Sequence, residues 1–294
     1  MTISTTCLLN LQNYNIANYS IFFLYNSNNI TPKKGQDMDD KVKEALTLFK
    51  NEKYEDALKI FFEMQEEDKL NPHVYSNIGL CYAKLGQDEL AEENYLKALS
   101  IDAGLAQTYI NLADLYYKEK RIADALELLQ QGAYELPENV GVLHYLARFF
   151  IEDKRYQDAI DVLDKILDLS PENPDAHWDL GMVYFELGDW NSAIANFEEV
   201  LEKLDNNELA YFQTALAYEA NDEIDKAISN YLKAIAVNDK FIPAYKKAAT
   251  LFMARGDIED ATEYFEDFLK FDLPEEEKTS VEKVLASLKK KKQN

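Results

Sequence analysis

The side chains best suited to chemistry are few and scattered. His73, His144 and His177 lie far apart, with no Cys or His at the short spacing a metal site needs. Cys7 and Cys81 are the only cysteines, too few for a disulfide framework or a zinc set. Acidic pairs such as Glu66-Glu67 and Glu198-Glu199 could serve as acid and base, but such pairs abound along the chain and read as solvated helix faces. No nucleophile elbow, Walker loop or dinucleotide fingerprint occurs. These residues predict a protein that is not an enzyme and that uses no metal and no cofactor. Recognition is the chemistry that remains.

Composition narrows what could be recognised. The chain has 294 residues, with 31 Lys and Arg against 54 Asp and Glu, a net charge of −23. Such an excess of acid repels phosphate backbones and anionic lipid, so nucleic acid is excluded as a partner and membrane surfaces are disfavoured. No run of 18 apolar residues exists to insert into a bilayer. Only 9 Gly and 7 Pro argue against the turn-rich barrels and sandwiches and predict an all-α fold.

The elements that would position a binding surface repeat with a fixed period. Ala57, Ala91, Ala125, Ala159, Ala193, Ala227 and Ala261 are spaced 34 residues apart without insertion. Twelve residues before each stands another small residue: Ala45, Gly79, Ala113, Ala147, Gly181, Ala215 and Ala249. Three beyond these stand Leu48, Tyr82, Tyr116, Phe150, Tyr184, Tyr218 and Phe252. Four beyond each Ala of the first column stand Phe61, Tyr95, Leu129, Leu163, Phe197, Tyr231 and Phe265. Small columns let helix backbones approach, and large columns fill the space beside them. Leu180, Gly181 and Tyr184, like Ala193, Phe197 and Val200, keep helical spacing, and Gly188 between them can end a helix in a left-handed conformation. Gly86 and Gly256 hold the same place, while Pro137 and Pro171 follow second helices. Each period is a helix–turn–helix that cannot bury its apolar face alone.

Residues 174–207 read PDAHWDLGMVYFELGDWNSAIANFEEVLEKLDNN, with Leu-Gly-x-x-Tyr, Gly-Asp-aromatic and Ala-x-x-x-Phe elements in order. In these elements and their spacing the chain resembles the tetratricopeptide repeat proteins, over residues 38–275. His177 stands at the family's early Trp, and Lys69, Ala103, Asp205, Asp239 and Leu273 replace its late Pro in five repeats. The repeats predicted are 38–71, 72–105, 106–139, 140–173, 174–207, 208–241 and 242–275. The resemblance implies an α-solenoid, a right-handed superhelix whose first helices line a concave groove.

In that family the groove is lined by the second, fifth, sixth, ninth, twelfth and thirteenth positions of each repeat. Transferred to this chain, those positions set Tyr117, Ile151, Trp178, Met182, Phe185, Phe212 and Leu216 on one inner wall, with His144 and Arg148 beside them. Asp179, Glu186 and Glu219, together with Asp175, form an acidic flank. Such a wall fits an extended or helical peptide carrying basic and aromatic residues. Members that clamp a C-terminal carboxylate use Lys and Asn at the fifth and ninth positions. Ser76 and Leu80, and Val42 and Leu46, stand there instead, which disfavours that mode although Asn77 and Asn111 occupy sixth positions.

The two ends differ from the repeats. Residues 276–294 predict a capping helix with Val281, Val284, Leu285 and Leu288 as its apolar stripe and a basic tail, Lys289 to Lys292. Residues 1–37 hold seven Asn and no charge before Lys33, and they lack the charged and apolar regions of a secretory signal. Their composition of AT-rich codons predicts either translated leader ahead of a natural start at Met38 or a disordered polar arm. The function expected is a cytoplasmic, non-catalytic scaffold or adaptor. A self-associating assembly protein, forming a homodimer, and the recognition subunit of a larger enzyme complex are the alternatives.

Overall fold

The computed structural model describes residues 32–292. Among them the regular structure is helical, in fifteen helices joined by short turns, with no strand. In chain order these are α1 (Pro32–Lys50), α2 (Tyr54–Glu67), α3 (Pro72–Lys84), α4 (Asp88–Ile101) and α5 (Ala106–Lys118). Next come α6 (Ile122–Glu135), α7 (Val140–Glu152), α8 (Tyr156–Leu169), α9 (Pro174–Leu187) and α10 (Trp190–Lys203). The last are α11 (Glu208–Ala220), α12 (Ile224–Val237), α13 (Ile242–Arg255), α14 (Ile258–Phe268) and α15 (Glu275–Lys292). The chain forms two compact bodies, one running to Asp153 and one from Lys154. The first body holds α1 to α7 and the second α8 to α15. Both are all-α solenoid segments in which each described helix packs on the next in sequence. The division falls in the turn of the fourth repeat. Helix α1 starts at Pro32 and so runs across Met38; the expectation of a leader or arm otherwise falls outside the described residues.

The aligned columns account for the packing inside each body. Every Ala of the first column is fully buried, and each large residue that follows it, from Phe61 to Phe265, is buried. Each such Phe, Leu or Tyr contributes about 1.5–3 kcal/mol of burial. The small column is small because of these rings. A Cβ on Gly79 would lie 2.8 Å from the Tyr95 ring, and one on Gly181 would lie 2.6 Å from Phe197.

The turns obey one rule that the glycines show only in part. Gly86, Gly188 and Gly256 are left-handed, at φ 72°, 78° and 95°. The corresponding residues of the other four repeats, Glu52, Lys120, Lys154 and Asp222, adopt φ of 59° to 63° without being glycine. The interhelical turn therefore demands this conformation whatever residue stands there. Four of the first helices are started by Asn: Asn71, Asn139, Asn173 and Asn207 each accept backbone N–H groups of the first turn of α3, α7, α9 and α11. At the C-terminal end, Val281, Leu285 and Leu288 of α15 are buried against the last repeat. This covers an apolar face that would otherwise meet water.

Candidate binding surface

The fifth, ninth and twelfth residues of a repeat fall at i, i+4 and i+7 and share one side of the first helix. In the second body this side of α9 carries Trp178, Met182 and Phe185, and that of α11 carries Phe212 and Leu216. All five are half-buried and rest on the core of the second body. Trp178 leans on Phe197 at 5.6 Å between ring centres, and Phe185 meets Trp190 edge-on at 5.1 Å. Phe212 lies between Tyr231 at 5.4 Å and Phe241 at 5.3 Å. Their inner edges are thus fixed by packing while the outer parts remain uncovered.

The expected acidic flank is thinner than the sequence implies. Glu186 and Asp175 are exposed. Asp179 is only 5 % exposed, because the sixth position of its repeat turns into the packing. Glu219 is half-buried and already answered: Lys247 Nζ donates to its two oxygens at 3.0 and 3.1 Å, and the Tyr231 hydroxyl donates at 2.5 Å. Lys247 and Tyr231 did not stand out in the sequence. The available signal was Tyr231 itself, a hydroxyl in a column otherwise filled by Phe and Leu except at Tyr95.

In the first body the fifth, ninth and twelfth positions of the first helices are more polar. Tyr117 of α5 is 47 % exposed and stands edge-on to Phe149 of α7, with ring centres 5.7 Å apart. Burial, and then the Glu152 carboxylate that accepts from its hydroxyl, hold the Tyr117 phenol above its usual range. Asp114 is half-buried, and burial pushes its carboxyl up to about 6 against the pull of Arg148, a hydrogen bond from Tyr145, and Lys84. His144, Arg148 and Ile151 of α7 are half-buried. Lys118 is tied to Asp88 at 2.7 Å. Tyr117, His144, Arg148 and Ile151 thus belong to the first body, and the other candidate residues belong to the second.

The remaining reactive groups have structural surroundings. The Cys81 thiol is fully buried and pushed up to about 12 by burial, which leaves it unreactive. His177 links α9 to its neighbours, with Nδ1 3.0 Å from Asn196 Oδ1 and Nε2 3.1 Å from the Pro171 carbonyl. Among the described residues no group of three or more His, Cys, Asp or Glu could hold a metal ion. None of the described helices is long and apolar enough to cross a membrane.

Tetratricopeptide repeat models match residues 70–133, 110–174, 150–217 and 209–241. The Hsp70-Hsp90 organizing protein 2 of Arabidopsis thaliana is 26% identical over 110 residues, which is 37% of this chain and 19% of that protein. The Hsp70-Hsp90 organizing protein of Triticum aestivum matches to the same extent. The chain thus spans about a fifth of these relatives' length. Among solved structures, the C-terminal part of a TPR repeat-containing protein from Cytophaga hutchinsonii superposes with a TM-score of 0.69 at 20% identity, covering 81% of this chain and 98% of that one. YrrB, described as a TPR protein with an unusual peptide-binding site, superposes with a TM-score of 0.54 at 21% identity, covering 63% and 95%. Together with the helix pairs and their invariant small columns, these matches make the chain a member of the tetratricopeptide repeat family.

Proposed function

We propose that this protein is a non-catalytic interaction scaffold that captures a peptide segment of a partner protein on the face carried by its first helices. The observation that carries this reading is the set of five large apolar side chains, Trp178, Met182, Phe185, Phe212 and Leu216, left half-covered on α9 and α11. Aromatic and Met side chains anchored from behind and open in front are suited to bind, because little rotamer entropy remains to be lost. Asp175 and Glu186 at the edge favour a ligand with basic as well as aromatic residues, and Glu219 adds little to that preference because Lys247 offsets its charge. A cytoplasmic setting fits the free, buried Cys81.

Relatives named for organising Hsp70 and Hsp90, and a structural neighbour described by its peptide-binding site, support an interaction role. They do not extend to a carboxylate clamp here. Ser76 stands where that mode places Lys, and its hydroxyl lies buried 2.8 Å from that of Thr108.

The test is affinity capture by the full chain, with partners identified by mass spectrometry and repeated with Trp178→Ala/Phe212→Ala. Both rings also support the core, so Met182→Lys, at a half-exposed position, serves as the milder variant. Loss of the same partners from folded variants supports the reading. Retention by folded variants overturns it.

A further inference from the structure

The last helix is built as one half of a repeat. Val281, Leu285 and Leu288 of α15 are buried at i, i+4 and i+7. The same spacing and burial occur in first helices, as with Val74, Ile78 and Cys81 of α3 or Ala244, Ala248 and Leu251 of α13. Lys289 donates to Glu266 of α14 at 2.6 Å, and at the corresponding places one repeat earlier the Tyr218 hydroxyl donates to Glu198 at 2.6 Å. Helix α15 thus packs as the first helix of an eighth unit. Ala286, next to Leu285, then continues the small column that runs from Ala45 to Ala249.

In the seven repeats the small residue of that column is buried, and a ring of the second helix crowds it where it is glycine: Tyr95 against Gly79, Phe197 against Gly181. Ala286 is exposed instead, and with Glu266, Leu269, Glu282, Leu285 and Lys289 it lines an open cleft of about 370 Å³. No second helix among the described residues fills this place. We infer that the cleft is the seat of a second helix supplied by another protein, an amphipathic helix with Phe, Tyr or Leu set on Ala286 and Ala four residues before it. It lies apart from the aromatic wall of α9 and α11 and does not rest on that reading.

Burial and charge decide between occupants. A second copy of this chain cannot offer such a helix while folded, because the Ala and the large residue of each of its second helices are already buried. Glu282 beside the seat and Glu275 and Glu276 at the start of α15 are exposed and make no ion pair among the described residues, while Glu266 is answered by Lys289. A helix running antiparallel to α15, as a second helix does, brings its C-terminal end to these acids. Lys or Arg in that end is therefore favoured.

The probe is a labelled, end-blocked peptide with the sequence of α12, residues 224–237, which carries Ala227 and Tyr231 at the required spacing and Lys226 and Lys233 against Asp225. Its fluorescence anisotropy rises on binding the full chain. Tyr231→Ala in the peptide weakens binding by about tenfold or more, the loss expected when one large side chain is no longer buried. Ala286→Leu in the protein fills the seat from an exposed position, so it abolishes binding without lowering the melting temperature. Glu282→Lys, also exposed, weakens binding through charge alone, and most at low salt. The inference is overturned if the peptide does not bind, or if neither protein variant changes its affinity. It is overturned as well if the Tyr231→Ala peptide binds equally, or if Met182→Lys removes the binding, which would put the peptide on the first-helix wall. Sedimentation of the natural chain adds a last arm: a dimer that Ala286→Leu dissolves gives the cleft to a second copy and overturns the inference.

Discussion

The Tyr231 hydroxyl donates to the Glu219 carboxylate at 2.5 Å, a bond between a residue buried behind a first helix and one on that helix's open face. It fixes the ring on which Phe212 rests, and so ties the surface to the core. Burial, then the adjacent Glu219 charge, raise the Tyr231 phenol far above its usual range, so the proton stays on the tyrosine. Glu219→Ala should cost about 2 kcal/mol, because it leaves a buried hydroxyl unpaired. In a Tyr231→Phe background the same change should cost much less. A double-mutant cycle by urea unfolding measures the coupling, expected at about 1–2 kcal/mol; additive effects would contradict it.

Asp114 makes stability depend on pH in the opposite sense to most acids. Its folded value of about 6 lies above the ordinary 3.8, so the folded state holds the proton more tightly than the unfolded state. Its contribution is favourable below about pH 4, weakens as pH rises through about 6, and stays lost above that. Asp114→Asn should therefore stabilise the protein near pH 8 by about 2 kcal/mol, with about 3 as the upper bound set by the shift. The advantage should vanish near pH 4. Urea midpoints of both proteins across that range check the sign, and an advantage that grows in acid would refute it.

The left-handed turns predict an asymmetry between two substitutions at equivalent places. Gly188→Ala forces a Cβ onto φ 78° and should cost about 1 kcal/mol. Lys120→Gly relieves φ 63° but loosens the unfolded chain, so it should change stability by less than about 1 kcal/mol. Thermal melts of the two variants give the comparison, and a neutral Gly188→Ala would show that the turn can relax.

How much of this was legible depends on what a position has to do. The fold was, because packing demands the same residue size in every repeat: Ala193 and Phe197 look like Ala227 and Tyr231 for the same steric reason. The left-handed turn was legible at Gly188 and hidden at Lys154, where the same conformation is adopted by a residue type that does not signal it. The aromatic part of the surface was legible as residue types, but the state of its acids was not. Asp179 faces the packing and Glu219 is held by Lys247, and each outcome depends on neighbours a repeat away. The state of the Tyr95 hydroxyl is hidden in the sequence for the same reason. It has no hydrogen-bond partner among the described residues, and Ala83 stands where Glu219 stands for Tyr231.

Gly181 gives a test of the packing rule itself. A methyl group there would sit 2.6–3.0 Å from three atoms of the Phe197 ring, so Gly181→Ala should cost about 1–3 kcal/mol. Phe197→Leu, the residue found at Leu129 and Leu163 opposite Ala113 and Ala147, should recover part of that loss in the double variant. Chemical denaturation of the single and double variants measures it, and a double variant no more stable than Gly181→Ala would contradict steric crowding as the cause.

The central claim, that the first-helix face captures a peptide, is tested most directly by site-specific photo-crosslinking. A benzophenone side chain at Met182, on the half-exposed face of α9, should crosslink to the partner isolated with the natural chain. The same group at Ala195, exposed on α10, should not. Crosslinks from position 195 and none from position 182 would contradict the account.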